Sequence, residues 1–328
     1  MPVVRRRRRR FPRRSAVALP LLRWLQGFLP RSLALLLGRL LGRVAWYTDG
    51  TLRRTSLENL ERAFGERIDR GRRVSIGRSA LINLAAGAVD LLRLPRLDAD
   101  ELAALVPEGN ETLDRITRAV RSGRGIILLA PHLGNWELLP AYLASRGAPV
   151  HHMARPPRDH RLRGLSGEVR RSQGVVWLRR GGAFAQLRVL LEDRGLVVLS
   201  IDQEFRARHG VAVPFFGDAV WTPRLPATLA RLTGAVVLPG ALLRRRDHLY
   251  RLLLEAPIRM SRSGDEEYDD WENTRRFSLA VESLVERFPA QWTWSERRWG
   301  TFPVTGDPPP PRPSGSDLLT RIRPSNGI

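Results

Sequence analysis

The chain contains no cysteine, which excludes disulfide bonds, thiolate metal ligands and cysteine nucleophiles. It also contains no lysine, so all 55 basic residues are arginines and a phosphate-binding loop of the G-x4-G-K-[ST] type cannot occur. No G-x-G-x2-G pattern follows the first predicted strand, and the segment 164–168, GLSGE, lacks the final glycine of a serine-hydrolase elbow. Nucleotide-cofactor binding and serine hydrolysis are therefore not indicated.

Metal-binding patterns are missing as well. None of the six histidines forms an H-x3-H or H-E-x2-H pair. His151 and His152 are adjacent, so on a strand their side chains would point to opposite faces. We expect neither a metal site nor a cofactor.

Acidic residues are few, at 33 against 55 arginines, and the formal net charge is +22. Such an excess predicts binding to a polyanion, which could be nucleic acid or an anionic membrane surface. No helix-turn-helix, RNP or zinc-finger pattern is present, so we expect a membrane partner and no nucleic acid. A non-catalytic basic protein that binds membrane or nucleic acid through arginine clusters is the alternative from another class.

Residues 16–46 are the most apolar part of the chain, but arginines interrupt it before it reaches the ~18–20 uncharged residues of a membrane span. On a helix from Arg31 onward, one arc is small or polar and contains Arg31, Ser32, Gly38, Arg39, Gly42 and Arg43. The rest is filled mainly by Leu33, Leu36, Leu37, Leu40, Leu41 and Val44, although Leu35 and Trp46 fall on the polar arc. The pattern predicts interfacial membrane helices over 16–50, with an ordinary core helix as the alternative.

Strand-like and helix-like segments alternate from residue 126 to about 255. Strands are predicted at 126–130, 149–153, 175–179, 196–202, 211–216, 235–241 and 249–255, and helices at 136–145, 161–173, 183–193 and 223–232. A further helix is predicted at 270–288. This alternation predicts an α/β fold with a mainly parallel or mixed sheet flanked by helices, as a domain over 51–302. A basic arm over 1–15 and a proline-rich tail over 303–328 are expected to be disordered.

The segment 126–139, IILLAPHLGNWELL, carries the first candidate site. A buried strand ends before His132, and Asn135 is a plausible N-cap that places Glu137 in the first turn of a helix. His132 and Glu137 can converge across this corner as a general base and its orienting carboxylate, and N–H groups near Gly134–Trp136 can stabilise an oxyanion. The alternative is a loop histidine followed by a favourable helix-start charge.

A second polar group ends a neighbouring strand. Asp202 follows the apolar segment Leu199-Ser200-Ile201, so it should reach the same sheet edge as His132. The alternative for Asp202 is a solvated strand end.

The string PHLGNWE resembles the signature of the lysophospholipid-type acyltransferases, and within them the lipid A biosynthesis (lauroyl/myristoyl) acyltransferase family. Three further elements carry the resemblance, which spans about residues 20–302. They are Asn59, Leu60, Ala63 and Phe64; Val213-Pro214-Phe215-Phe216-Gly217; and the block 291–299, QWTWSERRW. Glu296 stands where the family has a histidine.

The resemblance implies a role for each matching residue. His132 and Glu137 would be the catalytic base and its partner, with Asp202 assisting them or orienting the acceptor. Arg170, and more weakly Arg155, would bind a phosphate of the donor or the acceptor. Further candidate substrate contacts are Asn135, Gln203, Phe215, Phe216, Arg297 and Arg298. Core packing is the alternative for the two phenylalanines.

The resemblance also implies an activity and a location. We expect an O-acyltransferase on the cytoplasmic face of the inner membrane that uses an acyl thioester, on acyl-carrier protein or coenzyme A. The acceptor would be a hydroxyl of a lipid A precursor or a related glycolipid. A mannosylated phosphatidylinositol or an aminolipid remains open as the acceptor.

Overall fold

The computed structural model describes residues 29–108, 113–114, 116, 123–153, 174–178, 183–205 and 210–299. The helices of this part are α1 Arg31–Thr48, α2 Gly50–Phe64, α3 Arg70–Arg93, α4 Ala99–Ala104, α5 Leu138–Ser145, α6 Ala183–Glu192, α7 Leu225–Thr233 and α8 Glu266–Arg287. The strands are β1 Ile126–Leu129, β2 Val150–Met153, β3 Val176–Leu178, β4 Leu196–Leu199, β5 Gly210–Phe215, β6 Asp218–Pro223, β7 Val236–Arg244 and β8 Tyr250–Leu254. Short 3-10 segments cover Gly65–Arg67, Leu94–Arg96 and Pro289–Gln291.

Six strands form one sheet in the order β3-β2-β4-β1-β7-β8. All neighbours are parallel except β8, which pairs antiparallel with β7. The central strand β1 is buried at all four positions, as expected for an apolar strand with a packed layer on each face. The predicted mainly parallel α/β sheet is confirmed, and with it the strands near 126–130, 149–153 and 196–202.

The segment 211–216 does not join this sheet, so that part of the prediction is wrong. Strand β5 pairs antiparallel with β6 in a separate two-stranded hairpin. Phe216 and Gly217 form its two-residue turn with φ of 51° and 81°, the backbone twist that tight hairpins prefer. Because β6 continues to Pro223, the helix predicted at 223–232 begins at Leu225 instead.

Helix α1 packs on α3 through its small residues. A Cβ at Gly38 would lie 2.5 Å from Val89 Cγ2, and one at Gly42 would lie 2.8 Å from Ile82 Cα, so the two helices approach closely at both positions. Leu35 and Trp46, which seemed misplaced on the polar arc, are buried in this contact. The small and polar arc is therefore partly the protein-facing side of the helix.

The leucine-rich side of α1 is exposed. Between 41% and 61% of each residue's surface is accessible at Leu33, Leu36, Leu37, Leu40, Leu41 and Val44. Arg39 and Arg43 are exposed on the same helix. Six exposed apolar residues on one helix are unusual for the surface of a soluble monomer, and such a face indicates an interaction site.

Among the described helices, the stretch Arg70–Arg96 is long and apolar enough to cross a membrane by length and composition alone. It contains α3, which packs against α1, α2 and the segment Pro289–Gln291. Asp90 lies near its end, fully buried within protein contacts. These contacts make α3 a packed helix of the domain.

Candidate active site

His132 and Asp202 meet at the carboxyl edge of the sheet. The strands that precede them, β1 and β4, are parallel neighbours whose last residues, Leu129 and Leu199, are paired. The imidazole Nδ1 lies 2.8 Å from Asp202 Oδ1, and the backbone N–H of His132 donates to Asp202 Oδ2 at 2.7 Å. The structure thus brings together two of the three residues predicted to be catalytic.

The Asp202 carboxylate accepts a third hydrogen bond, from the indole N–H of Trp292 to Oδ2 at 2.7 Å. The Asp202 side chain has no exposed surface, whereas 15% of the His132 side chain is exposed. Sequence reasoning placed Trp292 in the C-terminal block but did not count it as a site residue. Its only signal was its position in the Q-W-x-W string.

These contacts shift the pKa values of both His132 and Asp202. Burial by itself lowers the pKa of His132, but the charge and hydrogen bond of Asp202 raise it, and Glu137 and Glu296 add smaller effects of the same sign, so the pKa stands above 6.5. Burial by itself raises the pKa of Asp202, but the charge of His132 and the hydrogen bonds from His132 and Trp292 lower it below its usual value. An ionised Asp202 keeps the proton of the imidazole on Nδ1 and leaves Nε2 as the basic nitrogen.

Glu137 occupies a different place from the one expected. It immediately precedes α5, which begins at Leu138, and it acts on His132 through its charge. The carboxylate that accepts the hydrogen bond of the imidazole Nδ1–H is that of Asp202 instead. Strand register thus places a carboxylate seventy residues away directly at Nδ1, and the role of Glu137 as the catalytic partner stays a prediction.

The backbone of the loop after His132 is tightly held. Gly134 has a φ of 65°, and a Cβ there would lie 2.1 Å from the carbonyl oxygen of Leu242. The N–H of Gly134 donates to Gln291 O at 3.0 Å, and that of Asn135 donates to Leu242 O at 2.8 Å. Neither N–H is available to an oxyanion. Of the N–H groups expected to stabilise one, near Gly134–Trp136, only that of Trp136 is still a candidate.

Asn135 is buried and bonded within the protein. Its Nδ2 donates to the Tyr250 hydroxyl at 2.8 Å and to Gly87 O at 3.3 Å, and its Oδ1 accepts from Leu138 N at 3.3 Å. The last contact gives Asn135 a capping contact with the helix start, but the helix begins at Leu138 with Glu137 at the N-cap position, two residues later than predicted. The side chain is therefore placed to hold the loop, and these bonds occupy the groups it would need for a substrate.

Phe215 and Phe216 lie in an aromatic cluster. Its members are Phe64, Phe215, Phe216, Trp292, Trp294 and Trp299, with ring centroids of contacting pairs 4.6–6.4 Å apart. Phe215 is fully buried, so the core alternative holds for it, whereas Phe216 is half-buried at the hairpin turn. The cluster brings together three of the sequence motifs: the element with Asn59 and Phe64, the segment 213–217 and the block 291–299.

Asn59 connects its own motif to the block 291–299 by hydrogen bonds. Its Nδ2 donates to the carbonyl oxygens of Trp294 and Glu296, both at 2.7 Å. This gives a structural role to a residue that sequence reasoning left without a chemical one.

The C-terminal arginines differ in their surroundings. Arg298 is buried and donates to Gln203 O, Trp221 O and Thr222 Oγ1 at 2.7–3.1 Å, and burial lowers its pKa to about 10. These contacts hold the C-terminal segment on β6, so Arg298 is directed at protein rather than at a substrate. Arg297 is exposed, and Gln203 is half-buried.

Glu296 is exposed beside the candidate base. Its N–H donates to Thr293 O at 3.0 Å, and Thr293 N donates in turn to His132 O at 3.2 Å. The turn that carries Glu296 is thus bonded directly to His132.

Two predicted phosphate ligands, Arg155 and Arg170, lie outside the described residues, as does the helix predicted at 161–173.

An open groove of about 520 Å³ runs along the outer face of α2, lined by Gly50, Arg53, Arg54, Leu57, Glu58, Glu61 and Arg62. Neither His132 nor Asp202 lines it. No group of three or more possible metal ligands occurs within the described part of the chain.

The structure is that of an α/β protein in which a histidine paired with a buried carboxylate lies at the edge of a mainly parallel sheet, an arrangement that can act as a general base. The family model described as bacterial lipid A biosynthesis acyltransferase matches residues 5–301, and the chain belongs to this family.

Curated relatives fall into two groups. The phosphatidylinositol mannoside acyltransferase of Mycolicibacterium smegmatis is 31% identical over 166 residues, which are 49% of this chain and 54% of the relative. The protein of the same name from Mycobacterium tuberculosis is 30% identical over 46% of this chain and 48% of its own length. The lipid A biosynthesis palmitoleoyltransferase of Escherichia coli K12 is 25% identical over 59% of this chain and 62% of its own length. The chain therefore spans about half to three-fifths of these relatives.

Proposed function

We propose that this protein is a membrane-associated acyltransferase that moves a fatty acyl chain from an acyl thioester to a hydroxyl of a glycolipid. The observation that carries the proposal is the 2.8 Å contact between His132 Nδ1 and the buried Asp202 carboxylate. It supplies an oriented base with its second nitrogen directed away from the carboxylate. Family membership and the names of the relatives supply the reaction class.

In the proposed reaction, His132 Nε2 takes the proton of the acceptor hydroxyl as the oxygen attacks the thioester carbonyl. The carbon–sulfur bond then breaks, and the thiolate leaves with the proton that His132 returns. Asp202 holds Nδ1–H throughout and stabilises the transient imidazolium. General-base assistance of this kind contributes typically ~10²–10⁴-fold to a rate.

Oxyanion stabilisation in this scheme falls to the N–H of Trp136, because the N–H groups of Gly134 and Asn135 are engaged. The centroid of the Trp136 ring lies 5.0 Å from that of the His132 ring, so the two side chains are neighbours. Glu137 contributes by its negative charge, which favours the imidazolium form of His132.

The acceptor is proposed to present an uncharged sugar hydroxyl to the base. Glu296 supports this choice, because an exposed carboxylate on a turn bonded to His132 disfavours a phosphate beside the imidazole. Two acceptor classes have support from the comparisons: a mannosylated phosphatidylinositol and a lipid A precursor. The donor is proposed to be acyl-carrier protein or acyl-coenzyme A.

Helix α1 is proposed to lie on the membrane surface, with its exposed leucines in the headgroup region. Arg39 and Arg43 can extend their charged ends toward anionic headgroups from the same helix. The net charge of +22 favours such a surface. The cytoplasmic face of the inner membrane is the location that fits a thioester donor.

The test is an assay with the purified full chain on vesicles that contain one glycolipid at a time. Acyl-coenzyme A or acyl-carrier protein is added, and the lipids are analysed by mass spectrometry. We expect one acceptor to gain the mass of one acyl chain with wild type and not with His132→Gln. Release of free fatty acid alone, or no product with either glycolipid class, would contradict the proposal.

A further inference from the structure

A buried polar cluster lies beneath α1 and joins four separate parts of the fold. At its centre is Asp90 of α3, with 1% of its side chain exposed. Arg31 of α1 donates to both carboxylate oxygens, from Nε at 2.9 Å and from Nη2 at 3.1 Å. Arg244 of β7 and the Tyr250 hydroxyl of β8 donate to Oδ2 at 2.9 and 2.7 Å. One carboxylate therefore collects two guanidinium groups and a phenol.

The direction of the hydrogen bonds in this cluster is fixed by Tyr250. Its hydroxyl has one proton, and that proton goes to Asp90. Burial raises the pKa of Tyr250, and the nearby Asp90 charge raises it further, so the hydroxyl keeps that proton. The oxygen of Tyr250 must then act as an acceptor toward its other neighbours, which are Arg244 and the Nδ2 of Asn135.

This direction sets the side-chain orientation of Asn135. Because Nδ2 faces the Tyr250 oxygen and Gly87 O, Oδ1 faces the N–H of Leu138 at the start of α5. The backbone of the same residue is fixed at Leu242 O. Asn135 follows His132 by three residues, so the loop that carries the base is anchored through both its main chain and this amide.

Arg244 strengthens the link from the other side. Its backbone N–H and carbonyl pair with the side-chain amide of Gln291 at 2.8 and 3.0 Å. Gln291 O in turn accepts from Gly134 N. Arg244 thus connects Asp90 with the loop by a second route.

A cluster of this kind is a weak source of stability, because desolvating one carboxylate and the guanidinium groups offsets most of the Coulombic gain. Because the bonds to one carboxylate fix α1, β7 and β8 relative to α3, the cluster is better suited to holding neighbouring segments in place. We propose that Asp90 is a positioning residue for the loop 132–137, acting through Tyr250 and Asn135, and that Arg31 extends this hold to α1. The inference rests on the proposed function only in calling that loop catalytic.

The experiment is hydrogen–deuterium exchange of the full chain, followed by mass spectrometry of peptides that cover 126–145. Tyr250→Phe removes only the hydroxyl that joins Asp90 to Asn135 and keeps the ring. Asp90→Asn is the companion variant. Both are expected to speed exchange within 132–139 by about tenfold relative to wild type.

The matched control is Asp270→Asn. Asp270 is also a buried carboxylate, which accepts from Thr228 Oγ1 at 2.7 Å and Arg231 Nε at 2.9 Å, but it has no bond to the loop. We expect this variant to change exchange in α7 and α8 and to leave 132–139 unchanged. Unchanged exchange at 132–139 in Tyr250→Phe, or equal acceleration there in Asp270→Asn, would overturn the positioning role.

Arg31→Gln tests the extension to α1. It is expected to speed exchange both in α1 and in 132–139, and a change confined to α1 would reject the link.

A kinetic readout separates this inference from the proposed function. If wild type transfers acyl chains, Tyr250→Phe should lower kcat about tenfold while KM for acyl-coenzyme A stays within about twofold. A fall in kcat equal to that of Asp270→Asn would contradict the inference. If wild type shows no transfer, the proposed function fails, and the exchange data still decide the positioning role.

Discussion

His132 and Asp202 leave adjacent parallel strands and meet through a 2.8 Å contact between Nδ1 and Oδ1. The backbone N–H of His132 binds the other carboxylate oxygen, so the two residues are held by their main chain as well as by their side chains. This double contact fixes the ring orientation before any substrate arrives. Several consequences can be measured.

Replacing Asp202 with Asn should lower the rate and shift its pH dependence. The base works in its neutral form, so wild-type kcat/KM should rise with pH through a midpoint above 6.5, the side to which the pKa of His132 is raised. Without the Asp202 charge, burial dominates and the midpoint should move to lower pH, while the rate at high pH falls by roughly 10²-fold or more. The measurement is kcat/KM from pH 5 to 9.

Glu137→Gln is the comparison for that experiment. Its charge contributes less to the pKa of His132 than that of Asp202. We expect a smaller downward shift of the midpoint and a smaller loss of rate than in Asp202→Asn. A larger loss in Glu137→Gln would show that the orienting carboxylate is assigned to the wrong residue.

Trp292→Phe should weaken the pair without touching either member. The variant removes the indole N–H that donates to Asp202 Oδ2, a hydrogen bond to a charged group worth about 1.5–3 kcal/mol. The expected result is a fall of about tenfold in kcat. Trp294→Phe is the matched control, because its indole N–H donates to Pro289 O instead, and equal losses in the two variants would contradict the role of Trp292.

Gly134→Ala should be strongly destabilising. Both Gly134 and Gly147 have positive φ, at 65° and 82°, which costs a substituted alanine about 1–2 kcal/mol. Only Gly134 also places a Cβ against backbone, 2.1 Å from Leu242 O, while nothing lies within 4 Å at Gly147. The free energy of unfolding should fall by at least about 2 kcal/mol more in Gly134→Ala than in Gly147→Ala.

Chemical denaturation of the two glycine variants measures this difference. Similar losses of stability would mean that β7 does not approach the loop as closely as described.

The exposed face of α1 should carry membrane binding. Leu36→Gln combined with Leu40→Gln removes apolar surface worth about 1–2 kcal/mol per residue when inserted into the interface. Sedimentation with anionic vesicles should show roughly thirtyfold to several-hundredfold weaker binding. Leu232→Gln with Leu279→Gln is the control, since these leucines are 42% and 39% exposed on other helices, and equal weakening would exclude a specific role for α1.

The strands beneath the site could be predicted because short apolar segments bounded by glycine and polar residues are typical of buried parallel strands. The strand at 211–216 was assigned to the wrong sheet, since its apolar pattern says nothing about its partner. The turn at Phe216 and Gly217 decides that partner by folding β5 back onto β6. Pairing direction is a property of the turn backbone rather than of the strand pattern.

The site illustrates the same limit. His132 and Asp202 were both identified as strand-end groups, but proximity along the chain favoured Glu137 as the orienting partner. The register of β1 and β4 places Asp202 at the imidazole instead, and register depends on contacts across the whole sheet. Likewise, the cluster around Asp90 gave no local signal, because Arg31, Asp90 and the hairpin pair Arg244 and Tyr250 come from three regions far apart in sequence.

The most direct measurement compares wild type with His132→Gln in transfer of an acyl chain from a thioester to a vesicle-borne glycolipid. Circular dichroism and vesicle binding of the variant should match wild type, since the His132 side chain is partly exposed and is not part of the exposed apolar face of α1. We predict that kcat falls by at least about 10²-fold. Transfer at a rate close to that of wild type by a folded, membrane-bound His132→Gln would contradict the account.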